Sequence, residues 1–193
     1  MIHQGTPGVK TGVARYYVGI DPDIEKSGLV LVDKQENRIT HAEALDISGL
    51  VGFLRMLVQE HSADLGQVVV VLENSDESRN WHTDCYFKEM AQSRFNPFVC
   101  KKVLGKAAAV GRNTGLCHAT SRHIRTFAEG MGLFVLGQKP FQKYWRGKDG
   151  KITQAEAEAF MIGLPKRCNQ EVRDAALLAW VVSGLPIKIK PTR

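Results

Sequence analysis

The feature that most constrains the fold is an uninterrupted β-branched run, VVVVL, which lies within residues 67–72 and ends at the acid Glu73. A run without polar alternation is typical of a strand that is buried on both faces. Such a strand needs helices on both sides of its sheet, so the sequence predicts a layered α/β domain with this strand near the sheet centre.

Three further strands precede this run. YYVGID ends at Asp21, SGLVLVD covers 27–33 after a turn, and a third extended segment covers 38–45 after a second turn at Glu36 and Asn37. Short turns between consecutive strands predict an antiparallel meander. Asp46 or Ser48 then caps a helix that runs to His61, which serves as the crossover to the buried strand.

The second half of the chain alternates between helices and one more strand. A polar loop covers 74–84, a short helix 86–91, an ambiguous strand or loop 98–104, an Ala-rich helix 106–130 and a fifth strand 133–136. A basic loop, 138–151, leads to a helix that Thr153 and Glu156 cap and Pro165 stops, and a last helix runs from Asn169 or Gln170 to Ser183. The predicted order is βββαβαβαα with one small extra element.

The length of 193 residues fits one domain, which we expect over 16–184 between a loose N-terminal tail, 1–15, and a basic C-terminal tail, 185–193. The hydrophobic fraction of 44% and the charged fraction of 24% argue against a disordered or fibrous protein. No apolar run approaches the roughly 18 residues of a membrane span. Four cysteines without a CxxC pair predict reduced thiols, so we expect a cytosolic protein with no membrane partner.

The net charge of +6 favours an acidic partner such as nucleic acid, although many basic soluble proteins bind none. Several of the cations lie along the Ala-rich helix. They form a discontinuous basic surface that either follows DNA or keeps the helix solvated: Lys101, Lys102, Lys106, Arg112, Arg122 and Arg125.

Four acids carry the predicted chemistry. Asp21 ends the first strand, Glu73 ends the buried fourth strand, and Glu171 and Asp174 lie three residues apart on one face of the last helix. If the first and fourth strands are neighbours, their acids emerge side by side and the helix can complete a cluster. Taken singly, each acid has an alternative role: Asp21 before Pro22 as a turn cap, and the helical pair as a solvated helix start.

A cluster of four carboxylates repels itself unless cations hold it together. Oxygen ligands suit Mg²⁺, and a pair of such ions can activate water and stabilise a leaving oxygen during phosphodiester cleavage. The acids therefore predict a site for two Mg²⁺ ions, with Mn²⁺ able to substitute.

With these residues in view, the chain resembles the RuvC-type Holliday junction resolvases of the RNase H-like superfamily. The resemblance spans about 16–182 and rests on GIDPDIEKSG at the first strand, VVLEN around Glu73 and EVRDAALLAW on the last helix. It implies an RNase H-like α/β fold with a five-stranded mixed sheet, three antiparallel strands followed by two parallel ones. RNase H proper usually places its second acid on the first helix, where this chain offers only Glu60, far from the helix start.

The resemblance also implies function. The four acids would bind two divalent metals, and a homodimer would nick symmetrically related strands of a four-way DNA junction. Lysines after the fifth strand contact the phosphate in that family, and Lys139 and Lys151 occupy comparable places, with Lys143 and Arg146 as neighbouring substrate-binding candidates. Without the family, this basic loop is equally consistent with backbone contact plus stacking by Tyr144 and Trp145 or with anchoring of one aromatic to the core.

The chain departs from the family pattern at three places. Asp23 replaces a glycine of the opening motif, Glu171 replaces the more usual Asp, and Asp76 stands where an aromatic often probes the junction, which leaves Trp81 as the nearest aromatic for substrate contact.

Three functions follow from these observations. The first is a Mg²⁺-dependent endonuclease on branched DNA, in recombination, repair or phage DNA processing. The second keeps the site but cuts RNA–DNA hybrids or flaps. The third is a catalytically silent nucleic-acid-binding module, which the four acids argue against because a phosphate binder gains nothing from an anionic cluster.

Overall fold

The computed structural model describes residues 14–74, 83–141 and 144–187. Residues 1–13 and 188–193, which make up most of the two predicted tails, lie outside these ranges. Residues 75–82, which make up most of the predicted loop 74–84, also lie outside them. Arg15, which belongs to the predicted N-terminal tail, forms an ion pair with Asp33 at 2.7 Å.

The described residues form one five-stranded mixed sheet. Its strands are β1 (Tyr16–Asp21), β2 (Ser27–Asp33), β3 (Arg38–Leu45), β4 (Val68–Glu73) and β5 (Phe134–Gln138). The order across the sheet is β3-β2-β1-β4-β5. The β1–β2 and β2–β3 pairs are antiparallel, whereas β1–β4 and β4–β5 are parallel. The predicted five-stranded mixed sheet, with three antiparallel strands followed by two parallel ones, is confirmed.

Five α-helices accompany the sheet in the described part of the chain. They are α1 (Ile47–Glu60), α2 (Thr83–Gln92), α3 (Pro97–Gly130), α4 (Gln154–Glu158) and α5 (Gln170–Val182). Asp46 caps α1 by accepting a hydrogen bond from the Gly49 N–H, and Asn169 caps α5 in the same way from Val172. Thr153 and Glu156 form the predicted capping box of α4.

The sheet separates two hydrophobic clusters, as expected for a strand that is buried on both faces. One cluster joins Tyr17, Val69 and Val71 to the buried side of α5. The other joins Ile20 and Leu72, with their neighbours on the same face, to α1 and the last turns of α3. Alternate residues of β1 and β4 therefore point toward α5, and the sheet is the middle layer.

Three helices differ from the prediction. α2 covers Thr83–Gln92, so it begins inside the predicted loop 74–84 and is longer than the predicted helix 86–91. α3 begins at Pro97, so the ambiguous segment 98–104 is helical; Asn96 caps it, and proline at a first helical position loses no hydrogen bond. α4 ends at Glu158, well before Pro165, because the chain leaves the helix to bury Phe160 and Met161 in the core beside α5.

All four cysteines are free, as the sequence predicted. In the described ranges, no helix combines the length and the apolar character that a membrane crossing requires.

Candidate functional site

The sheet brings Asp21 and Glu73 to the same edge. β1 and β4 run parallel with Ile20 opposite Leu72, so the next residue on each strand is an acid at the end of its strand. Side chains alternate along a strand, and Ile20 and Leu72 face α1 and α3. Asp21 and Glu73 therefore lie next to each other on the α5 face of the sheet.

Two glycines place α5 directly on this face. A Cβ at Gly19 would lie 2.0 Å from the carbonyl oxygen of Ala175, and a Cβ at Gly28 would lie 2.0 Å from that of Glu171. Only the absence of side chains allows backbone to approach so closely. Gly28 is the cross-strand partner of Asp21, so the start of α5 rests beside Asp21. This contact gives a physical reason for both glycines of the GIDPDIEKSG segment.

The four acids share one electrostatic environment. Burial raises the pKa of the Asp21 carboxyl most, and the negative charges of Glu73 and Asp174 raise it further. Glu171 acts in the same direction, and the Lys151 ammonium opposes it. The pKa of Asp21 consequently lies well above its ordinary value, which shows that the two strands and the last helix concentrate negative charge at one place.

Lys151 reaches the cluster from the segment before α4. Its Nζ donates to Asp174 Oδ2 at 2.9 Å, with Lys151 39% exposed and Asp174 16% exposed. Burial lowers the pKa of Lys151, but the hydrogen bond and charge of Asp174, together with the charges of Asp21 and Glu171, outweigh it and raise this pKa above its ordinary value. The predicted substrate-binding Lys151 therefore lies among the predicted acids.

The second oxygen of Asp174 is held by Gln170. Gln170 Nε2 donates to Asp174 Oδ1 at 2.8 Å and also to the Ile152 carbonyl at 3.3 Å. Arg173 fixes the glutamine by donating from Nη2 to Gln170 Oε1 at 2.7 Å, and its Nε and Nη1 donate to the carbonyls of Ile152 and Cys168. Both carboxylate oxygens of Asp174 are thus engaged by α5 and the segment before α4.

Sequence reasoning missed Gln170 and Arg173 as parts of the site. Their spacing of four and one from Asp174 was visible, since residues four apart on a helix are neighbours. The role of Arg173 was not visible, because it depends on the path of the backbone at Ile152 and Cys168.

The opposite side of the site is formed by α3. Ser121 Oγ donates to the Glu73 carbonyl at 3.3 Å. Burial raises the pKa of the Cys117 thiol, and the charges of Asp23, Asp21 and Glu73 raise it further. Cys117, one turn before Ser121, therefore lies within electrostatic range of the acids, a placement for which the sequence offered no signal.

The remaining predicted residues are less closely tied to the acids. Lys139 is exposed just after β5. Arg146 is exposed, and its backbone N–H donates to Glu156 Oε1 at 3.1 Å. Trp81 and Lys143 lie outside the described residues.

Asp23 and the aromatic residues of the basic loop take structural roles. Asp23 Oδ1 accepts the Glu25 N–H and its own N–H donates to Ser27 Oγ, so it organises the turn between β1 and β2. Trp145 stacks on Phe160 with ring centroids 5.9 Å apart, whereas Tyr144 is exposed. The alternative in which this loop anchors one aromatic to the core therefore holds for Trp145.

The chemistry of these donors fits a hard divalent cation, since such a cation prefers carboxylate oxygens as ligands. The raised pKa of Asp21 reflects a shortage of positive charge among the clustered carboxylates, which a bound cation would supply. As the side chains stand, however, no group of three or more Asp, Glu, His or Cys in the described residues could hold a metal ion. Lys151 instead occupies one oxygen of Asp174. The cluster is therefore a set of candidate ligands whose ammonium partner supplies part of the missing charge.

Comparison with known proteins gives little beyond this geometry. No protein-family model matches the chain. No curated protein matches it. Among solved structures, it is similar to T. thermophilus RuvC in complex with a Holliday junction substrate, at 16% sequence identity and a TM-score of 0.44, over 85% of this chain and 89% of that one. A likeness of this size carries no argument about activity.

Proposed function

We propose that this protein is a Mg²⁺-dependent nuclease that cuts branched DNA, with Asp21, Glu73, Glu171 and Asp174 as its metal ligands. One observation carries the proposal: parallel β1 and β4 end in adjacent acids on the face where α5 contributes two more. A fold has no structural need to collect like charges at one edge, since each acid raises the pKa of its neighbours.

The four carboxylates would hold two Mg²⁺ ions, and such ions, when bound, would supply charge to activate a water and to stabilise the leaving oxygen of a phosphodiester. The chain itself contributes orientation and charge. Gln170 and Arg173 hold the carboxylate of Asp174 in place, and Gly19 and Gly28 keep α5 against the strands. The ammonium of Lys151 balances negative charge at Asp174 and is available to a phosphate at the same edge.

Nucleic acid is the substrate class that the charges favour. The chain carries 26 Lys and Arg against 20 Asp and Glu, although the site itself is acidic. Lys151 and Arg173 lie within the site, and exposed cations elsewhere on the chain can contact the backbone of a polyanion. Lys139, Lys143 and Arg146 are the candidates for contact with that backbone, Trp81 is the candidate for base contact, and a homodimer would cut two related strands.

The silent nucleic-acid-binding module is the second candidate, and one observation favours it. The Lys151 ammonium pairs with Asp174, so the cluster has a protein partner for part of its charge. A binding module of this kind would retain nucleic acid in EDTA and in Mg²⁺ alike, and would cut in neither.

A substrate panel tests these proposals. Purified protein is incubated with an end-labelled four-way junction, a linear duplex and an RNA–DNA hybrid, in Mg²⁺, Mn²⁺ or EDTA. Paired nicks on the junction, absent in EDTA, support the junction nuclease. Cutting of the hybrid alone transfers the proposal to an RNase H type of substrate, and binding without cutting of any substrate replaces it with the silent module.

A further inference from the structure

α3 extends beyond the edge of the sheet where the acids lie. Its last turns pack in the core through Ile124 and Ala128, and Ser121 is level with the end of β4 because its hydroxyl bonds the Glu73 carbonyl. The helix continues upstream from Ser121 to Pro97. At about 1.5 Å per residue, the twenty residues 97–116 add roughly 30 Å of helix past this edge.

α2 packs along this extension. Lys106 Nζ lies 3.5 Å from Glu89 Oε1, and the rings of Phe87 and Phe95 meet at 5.9 Å near the turn between the helices. Val103 is fully buried but belongs to neither of the two core clusters beside the sheet. Residues 83–116 therefore form a helical arm with its own small apolar contact, attached at the acidic edge.

The outer face of the arm is basic. α3 contains no Asp or Glu from 97 to 128 but six Lys or Arg. Four of these lie on the arm, and all four are exposed: Lys101, Lys102, Lys106 and Arg112. At about 100° per residue, Lys101, Lys102 and Arg112 fall within an arc of roughly 100° on the side away from Val103, whereas Lys106 lies between this arc and Val103.

This charge distribution differs from that of a merely solvated helix. Solvated helices usually alternate signs at spacings of three and four, whereas α3 itself offers no acid at these spacings to Lys101, Lys102 or Arg112. The fourth cation, Lys106, has a counter-charge in Glu89 of α2. Gly105 lies within the same arc, and a Cβ there would meet nothing within 4 Å. Internal packing thus does not require a glycine that weakens the helix by about 1 kcal/mol. We therefore expect a binding partner to supply the negative charge for this face and to pack closely against Gly105.

We propose that the outer face of the arm, Lys101, Lys102 and Arg112 with Gly105 between them, binds the phosphate backbone of a nucleic-acid duplex and leads it to the acidic edge. This inference rests on the proposed function for what happens at that edge. The occupant is a polyanion because the face carries only positive charge, and a second copy of the chain would bring the same charge against it. The small Gly105 permits close approach of a backbone.

The test is equilibrium binding in EDTA, where cutting does not occur. Fluorescence anisotropy measures the Kd of a labelled four-way junction and a linear duplex for the wild type, for the double variant Lys101→Ala with Lys102→Ala, and for a control double variant, Arg38→Ala with Arg55→Ala. Both control residues are exposed, and their substitution removes the same amount of charge. Arg38 lies at the end of β3 away from the acids, and Arg55 lies on α1. Circular dichroism melts confirm that all three proteins are folded.

We expect the arm variant to weaken binding about tenfold at 0.1 M salt and to reduce the slope of log Kd against log salt by about two, with less than a twofold change in the control. Equal losses in both variants, or unchanged binding in the arm variant, would overturn the proposal. A change in oligomeric state by light scattering without a change in Kd would assign the face to a second copy instead.

The outcome is separable from that of the nuclease proposal. If the wild type binds in EDTA but does not cut in Mg²⁺, the nuclease proposal is wrong and the proposal for the arm is unaffected. If the wild type cuts and the arm variant binds as tightly as the wild type, the proposal for the arm is wrong and the nuclease proposal is unaffected.

Discussion

Gly28 lies so close to the backbone of Glu171 that a Cβ on it would be 2.0 Å from the Glu171 carbonyl oxygen. This contact joins the strand partner of Asp21 to the helix that carries the other two acids. The position of α5, and with it the shape of the site, depends on the absence of a side chain at this point.

Gly28→Ala should therefore cost stability and activity together. Either α5 moves away from Asp21 or the protein bears an overlap that typically destabilises by about 1–3 kcal/mol. Urea unfolding measures the first effect and junction cleavage the second. Gly52→Ala is the control, since a Cβ there meets nothing within 4 Å, and this change inside α1 should stabilise by about 0.5–1 kcal/mol. A Gly28→Ala protein as stable as the wild type would contradict the contact.

Asp21→Asn should raise the melting temperature of the metal-free protein at neutral pH. The folded pKa of Asp21 is raised, chiefly by burial and then by Glu73 and Asp174, so the native state binds a proton more tightly than the unfolded state. Its contribution to stability is thus fully present below the unfolded value near 3.8 and lost as pH rises through the folded pKa. Asn removes this penalty.

The measurement is a series of melts in EDTA across pH, with Glu60→Gln, an exposed acid away from the site, as the control. The gain from Asp21→Asn should grow with pH and should shrink when Mg²⁺ is added, because the cation then stabilises only the wild type. A melting-temperature difference between Asp21→Asn and wild type that does not change with pH, or that is negative at neutral pH, would show that ionised Asp21 does not destabilise the protein.

The opposite pH dependence should follow from Asp33→Asn. Burial raises the pKa of Asp33, whose side chain is 4% exposed, but hydrogen bonds from Arg15 and from the backbone N–H groups of Glu36 and Gln35 outweigh it and lower the pKa below its ordinary value. Stabilisation by the carboxylate is therefore present above the unfolded pKa and lost as pH falls through the folded pKa.

Asp33→Asn should destabilise by about 1–2 kcal/mol at pH 7 and by much less near pH 3. Urea unfolding at the two pH values checks this. Cleavage should change little in the folded fraction, since Asp33 lies at the opposite end of β2 from Gly28. An equal loss of stability at both pH values would contradict an ionic contribution.

How far the sequence predicted this molecule depends on the range of the interactions. The local pattern VVVVL followed by Glu73 predicts a buried strand with an acid at its end. Parallel pairing of this strand with β1 then aligns Glu73 with Asp21. Helix periodicity likewise predicted that Glu171 and Asp174 share a face. These are short-range rules, and they provided the sheet and the acids.

Other features required knowledge of where distant segments meet. The Arg173 guanidinium bonds the carbonyls of Ile152 and Cys168, and Cys117 lies within electrostatic range of the acids only because α3 runs past the end of β4. The early end of α4 has a similar origin, since burying Phe160 and Met161 outweighed continued helix. Local propensity contains none of this information.

Lys151→Gln should make cation binding easier while removing a stabilising contact. Without its ammonium, Asp174 loses the 2.9 Å partner in metal-free protein, so the melting temperature in EDTA should fall slightly. The Mg²⁺ concentration that stabilises the protein should fall about two- to fivefold, which corresponds to about 0.4–1 kcal/mol and lies within the range typical of a partly exposed ion pair.

Melting temperature against Mg²⁺ concentration measures this shift. Lys148→Gln, an exposed lysine three residues away, should leave both the melt and the Mg²⁺ midpoint unchanged. A higher Mg²⁺ requirement in Lys151→Gln would show that the ammonium assists the cations and does not compete with them for Asp174.

Single-turnover cleavage of a labelled four-way junction in Mg²⁺ by wild type, Glu73→Gln and Glu60→Gln tests the central claim most directly. The account predicts that Glu73→Gln lowers the cleavage rate about a thousandfold or more while it binds the junction at least as tightly, and that Glu60→Gln cuts like wild type. Cleavage by Glu73→Gln at the wild-type rate would contradict the assignment of this edge of the sheet as the active site.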